Sequence, residues 1–123
     1  MIIDYKNIKI HYTVSGAGKT IVLLHGFLET SSMWKDLEPE FARTHQVVCI
    51  DLLGHGQTDS LGYVHAMEDM ADAVFAVLRH LKIKNAKVIG HSMGGYVALA
   101  LAEQQPQLFE GLCLMNLLSI DGY

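Results

Sequence analysis

Four apolar runs punctuate the chain: Thr20 to His25 (TIVLLH), Gln46 to Asp51 (QVVCID), Ala86 to Gly90, and Gly111 to Leu118 (GLCLMNLL). Runs of this length without polar alternation mark strands buried on both faces, as in a parallel sheet. Between them the pattern changes to helical spacing. From His65 to Leu81 the positions Met70, Ala73, Val74, Val77, Leu78 and Leu81 fall on one stripe. Acidic residues gather at its start and Arg79 and His80 at its end, as the helix dipole favours. Tyr96 to Gln105 reads as a second helix, stopped by Pro106. Met33 to Arg43 reads as a third, with Ser31 or Ser32 as its cap and Pro39 as a point where it splits or restarts. Two short β-rich runs, Ile2 to Tyr5 and Ile8 to Val14, flank Lys6-Asn7 as a hairpin. The alternation predicts an α/β fold in one domain over residues 1–123. It has a mostly parallel sheet of about six strands, an N-terminal antiparallel hairpin and about three main flanking helices.

Composition narrows the picture. Half of the residues are hydrophobic and 18% are charged, which predicts a packed core rather than disorder. A net charge of −4 argues against nucleic acid as a partner. No apolar run reaches the ~18 residues of a membrane span, and the N-terminus lacks the layout of a signal peptide. Cys49 and Cys113 lie inside apolar runs and read as buried free thiols, so a reducing cytoplasm is expected. The seven histidines are dispersed, with no ligand spacing, and neither a metal nor another cofactor is expected.

The stretch VIGHSMGGYVALALA, Val88 to Ala102, carries the candidate chemistry. Ser92 sits on a tight passage from buried strand to helix, between Gly90 and Gly94, whose small size suits a crowded turn. The helix that follows directs its free N–H groups and its positive dipole end toward the serine's surroundings. A plainer alternative is a serine that caps this helix. His25-Gly26-Phe27 and the Asp51 to Gly56 loop end two other buried strands.

Together H-G-F, D-L-L-G-H-G and G-H-S-M-G-G, in this order, resemble the α/β-hydrolase family, over its N-terminal part only. The resemblance implies Ser92 as nucleophile and the backbone N–H groups of Phe27 and Met93 as the oxyanion hole. It implies that His25 orients the oxyanion loop through its ring nitrogens. Gly26, Asp51, Gly54, Gly56, Gly90 and Gly94 are then architectural. Phe27, Leu28, Met93 and Trp34 are candidates for an apolar substrate pocket, or for plain packing. The implied substrate is a small ester-like molecule.

Family triads continue with an acid and then a histidine. No histidine follows Ser92, and Asp121 reads either as a triad acid or as a solvated tail carboxylate. A truncated, weakly active hydrolase is therefore expected, or a non-catalytic hydrolase-like fragment. In the family's sheet order the Gly111–Leu118 strand lies at an edge, so self-association through it is expected. The same order sets Cys49 and Cys113 about three strand spacings apart, too far for a disulfide. The stretch SGAGKT ends like a phosphate-binding loop, but Thr13 stands at its leading position and a strand follows it.

Overall fold

The computed structural model describes residues 1–26, 30–52 and 67–115. Among them, six strands form one sheet: β1 (Ile2–Tyr5), β2 (Ile8–Ser15), β3 (Thr20–Leu24), β4 (Gln46–Ile50), β5 (Ala86–His91) and β6 (Phe109–Met115). Their order is β1-β2-β4-β3-β5-β6. β2 runs antiparallel to β1 and β4, and all other neighbours are parallel. Lys6 and Asn7 both have positive φ, 47° and 65°. Such a two-residue turn matches the twist of a hairpin.

Three helices among the described residues cover the sheet: α1 (Glu38–Ala42), α2 (Met67–His80) and α3 (Met93–Gln104). The continuous apolar runs now have a cause. Val22, Leu24, Val48 and Ile50 face one way, into a cluster with Val74, Leu78, Val97 and Leu101 of α2 and α3. Ile21, Leu23, Val47 and Cys49 face the other way, against Trp34 and Phe41. Each large side chain so buried contributes roughly 1.5–3 kcal/mol.

Several expectations change in detail. The third helix breaks after Trp34 into a 3-10 turn, Ser31–Trp34, and the short α1, which has Pro39 in its first turn. Thr30, not Ser31 or Ser32, caps that turn, and its side chain accepts from the Ser32 amide. α3 starts at Met93 rather than Tyr96, because Gly94 and Gly95 are packed into its first turn. β6 starts at Phe109, and residues 116–118 of the expected strand lie outside the described residues. Cys113 is exposed, contrary to the buried thiol expected. Apolar character at an outermost strand does not guarantee a covering layer.

The two thiols therefore differ. Cys49 is 2% exposed and its Sγ donates to Oε2 of Glu38 at 3.3 Å. Burial, and then the Glu38 carboxylate, push this thiol up from 9.0 to about 12. A thiolate is the species that alkylates. Brief iodoacetamide treatment of the native chain at pH 8 is expected to modify Cys113 alone, with a second adduct only in denaturant; intact mass reads this directly. Two adducts on the native chain would contradict the packing. The linkage follows from the raised value: the folded state holds its proton where the unfolded state has lost it. The Cys49 contribution to stability is complete below pH 9 and declines as pH rises from 9 toward 12.

Candidate active site

β4, β3 and β5 lie side by side and parallel, so their carboxyl ends reach the same edge of the sheet. Leu24 pairs with Ile50 on one side and with Gly90 on the other. The residues that come next, His25, Asp51 and His91-Ser92, are therefore level with one another. Ligands of open α/β sheets gather at this carboxyl edge.

Ser92 joins β5 to α3 with φ 54° and ψ −117°. The positive φ is one L-residues rarely adopt, and this ψ lies outside the left-handed helical well. Such a conformation costs about 1–3 kcal/mol and persists only where its surroundings impose it. Two hydrogen bonds do so. The Ser92 amide donates to the Met115 carbonyl at 2.9 Å, and the Gly95 amide donates to the Ser92 carbonyl at 2.9 Å. The neighbouring strand and the first helical turn thus hold both sides of the residue. Although Ser92 stands at the N-cap position, its side chain makes no capping hydrogen bond. Its side chain is half-buried, not sealed in the core.

Gly90 and Gly94 make this turn possible. A Cβ on Gly90 would lie 2.6 Å from the Cα of Gly95. One on Gly94 would lie 2.7 Å from the carbonyl carbon of Leu24 and closer still to the Leu24 and His25 oxygens. The start of α3 is seated directly on the end of β3. The first helical amides, which precede the first internal bond, are thereby held at the sheet edge. The Met93 side chain points into the core and is 7% exposed. Trp34 is buried in the opposite layer.

His25 is fully buried. The Leu52 amide donates to its Nε2 at 2.9 Å, so that nitrogen carries no proton. The proton sits on Nδ1, which donates to the Gly26 carbonyl at 2.8 Å. The ring ties the loop after β3 to the end of β4. His25→Leu removes both bonds and is expected to lower stability by about 2 kcal/mol, measured by urea denaturation; an unchanged midpoint would contradict this role.

Asp51 is also buried, and its Oδ1 accepts from the Ser31 amide at 2.8 Å. Its own amide donates to the His11 carbonyl at 3.0 Å. The carboxylate fastens the 3-10 turn to the sheet. Phe27, Leu28, Gly54, Gly56 and Asp121 lie outside the described residues. The part played by Met115 at Ser92 has no signal in the sequence, because it depends on the register between β5 and β6. No group of acidic, histidine or cysteine side chains among the described residues forms a metal site. No helix among them is long and apolar enough to cross a membrane.

Comparison with known proteins gives this geometry a context. The family described as alpha/beta hydrolase fold matches residues 19–121. A soluble epoxide hydrolase of a Corynebacterium species is 31% identical over 110 residues, covering 89% of this chain and 38% of that protein. The structure of Est816, an N-acyl homoserine lactone degrading enzyme, superposes with a TM-score of 0.90 at 34% identity, covering 93% of this chain and 44% of that one. A thermophilic esterase of Thermogutta terrifontis gives 0.85 at 34% identity, covering 87% and 40%. The chain thus spans less than half the length of each of these proteins.

Proposed function

Because the chain belongs to the α/β-hydrolase fold family, we propose that it carries the nucleophile and the oxyanion donors of a serine hydrolase acting on carboxylic esters. One observation carries the reading: Ser92 is held in a strained turn at the carboxyl edge, with its side chain left out of helix capping. In this account Ser92 Oγ attacks the ester carbonyl carbon, the hydroxyl proton passes to water, and the carbonyl electron pair moves to oxygen. The resulting oxyanion accepts hydrogen bonds from the Met93 and Phe27 amides. Collapse breaks the bond to the alcohol oxygen, which takes up a proton from water, and leaves an acyl group on Ser92; a water molecule then hydrolyses that ester to the carboxylic acid and restores the hydroxyl.

His25 serves this site by position. By holding the Gly26 carbonyl, it fixes the backbone that leaves β3. With both ring nitrogens committed it is not the base. One oxyanion donor is worth about 3 kcal/mol of transition-state stabilisation. Est816 is named for degrading a lactone, and the Thermogutta protein for esterase activity. Both are acyl-transfer chemistries, which a serine nucleophile suits; epoxide hydrolases of this family use an aspartate.

No histidine lies among residues 93–123, so the usual base is not supplied there. A nucleophile that acts without a base retains an acceleration over water of only ~10³–10⁴-fold. Hydrolysis of p-nitrophenyl butyrate by the chain and by Ser92→Ala tests the reading. A slow rate abolished by the substitution is expected. Equal rates for both chains would favour the second reading, a non-catalytic module.

A further inference from the structure

We infer that Asp51 is a positioning residue of the proposed hydrolase site, acting through the Ser31 amide on the segment that carries the Phe27 oxyanion donor. The inference rests on the serine-hydrolase reading above. β3 and β4 are parallel neighbours in which Leu24 pairs with Ile50. The residues that follow are therefore level, His25 with Asp51 and Gly26 with Leu52. Two holds come from the dipeptide Asp51-Leu52. The Leu52 amide donates to His25 Nε2 at 2.9 Å, and the same ring donates from Nδ1 to the Gly26 carbonyl at 2.8 Å. The Asp51 carboxylate accepts from the Ser31 amide at 2.8 Å. Phe27 lies between Gly26 and Ser31 in the sequence, so one dipeptide fastens the chain on both sides of it.

Asp51 is itself firmly seated. Its amide donates to the His11 carbonyl of β2 at 3.0 Å, and Leu52 is 1% exposed in the core shared with α2 and α3. The Asp51 side chain is buried, and a buried carboxylate is costly unless donors face it. A hydrogen bond to a charged acceptor is shorter and about twice as strong as a neutral one. Here it acts on the first residue of the 3-10 turn. The rest of the turn is held separately: Trp34 is buried in a cluster with Leu23, Val47 and Cys49, and Thr30 caps the turn. The Asp51–Ser31 bond therefore does not carry the turn alone. It fixes the point at which the chain from Gly26 rejoins the layer under the sheet. A displacement of about 1 Å in a reacting geometry is enough to slow a reaction by about 100-fold.

The test measures the rate at which Ser92 takes a fluorophosphonate label over a range of probe concentrations. Asp51→Ala removes the acceptor. Ser31→Pro removes the donor and keeps the carboxylate. Ser31 is the first residue of the turn, a position that tolerates proline, and Thr30 at φ −137° and ψ 173° has the extended backbone that precedes one. Each substitution is expected to lower the limiting rate at saturating probe by about 100-fold, with the half-saturating concentration unchanged. The double variant is expected to lose no more than either alone, because both break the same bond. Tyr5→Phe removes the 2.9 Å bond to Asp72 on β1, two strands from β4. It is expected to lower stability and leave the limiting rate unchanged, which separates positioning from loss of fold; a rate that falls in Tyr5→Phe as it does in Asp51→Ala would overturn the inference. A wild-type rate in Asp51→Ala or in Ser31→Pro, or losses that multiply in the double variant, would overturn it and leave Ser92 as the nucleophile. A wild-type chain that takes no label on Ser92 would overturn the proposed function and this inference together. If Asp51→Ala does not fold, Ser31→Pro still decides.

Discussion

Gly94→Ala is expected to lower the stability of the chain by about 3 kcal/mol or more, a large fraction of the 5–15 kcal/mol typical of a domain. The added Cβ meets the Leu24 and His25 carbonyls, which are backbone atoms of the central strand and its exit. No side chain can rotate away to make room. Relief requires α3 to lift from β3, and that would open the layer of Val22, Leu24, Val97 and Leu101. Gly90→Ala meets the same obstacle from the other side, at the backbone of Gly94 and Gly95. Gly111→Ala is the control: its Cβ would meet only the flexible Lys87 side chain, at 3.5 Å. Urea denaturation of the three variants is expected to separate the first two from the third, and similar midpoints for all three would contradict the close seating of α3 on β3.

Ser92→Gly is expected to stabilise the fold by about 1 kcal/mol while removing the esterase activity proposed for the site. Glycine relieves the strain of φ 54° and ψ −117°, worth about 1–3 kcal/mol, and gives back about 0.5–1 kcal/mol through the freer unfolded chain. For a chain of this size that is a rise in melting temperature of roughly 4 °C. Ser92→Ala keeps a Cβ and therefore the strain, so it is expected to lose activity without the gain in stability. Calorimetry on both variants separates backbone strain from the loss of the hydroxyl. Equal melting temperatures for Ser92→Gly and Ser92→Ala would show that the turn is relaxed.

Much of this arrangement is legible in the sequence, for physical reasons. β3 and β4 announce themselves because both of their faces are buried, β5 because one face is buried and Ile89 half-covers the other, and the residues that end them, His25, Asp51 and Ser92, fall at one edge. The motif resemblance rests on those same ends. Other features depend on contacts between distant segments. Gly94 reads as a loop residue in one dimension, yet the close approach of Leu24 demands it inside a helix. Cys113 and Cys49 lie in similar apolar runs, and only the strand order leaves the first exposed and buries the second. Thr30 takes the cap because the 3-10 turn begins at Ser31, and Asp51 holds Ser31 across the gap between β4 and that turn. The hold of Met115 on the Ser92 amide depends on a register that no spacing within either strand reveals.

The most direct test is covalent. The native chain is treated with a fluorophosphonate probe and digested, and the adduct is located by tandem mass spectrometry, with the urea-denatured chain as control. An adduct on Ser92 that disappears on denaturation is the predicted result, because the reactivity belongs to the folded turn and its amides. Absence of an adduct on Ser92, or equal labelling of the denatured chain, would contradict it.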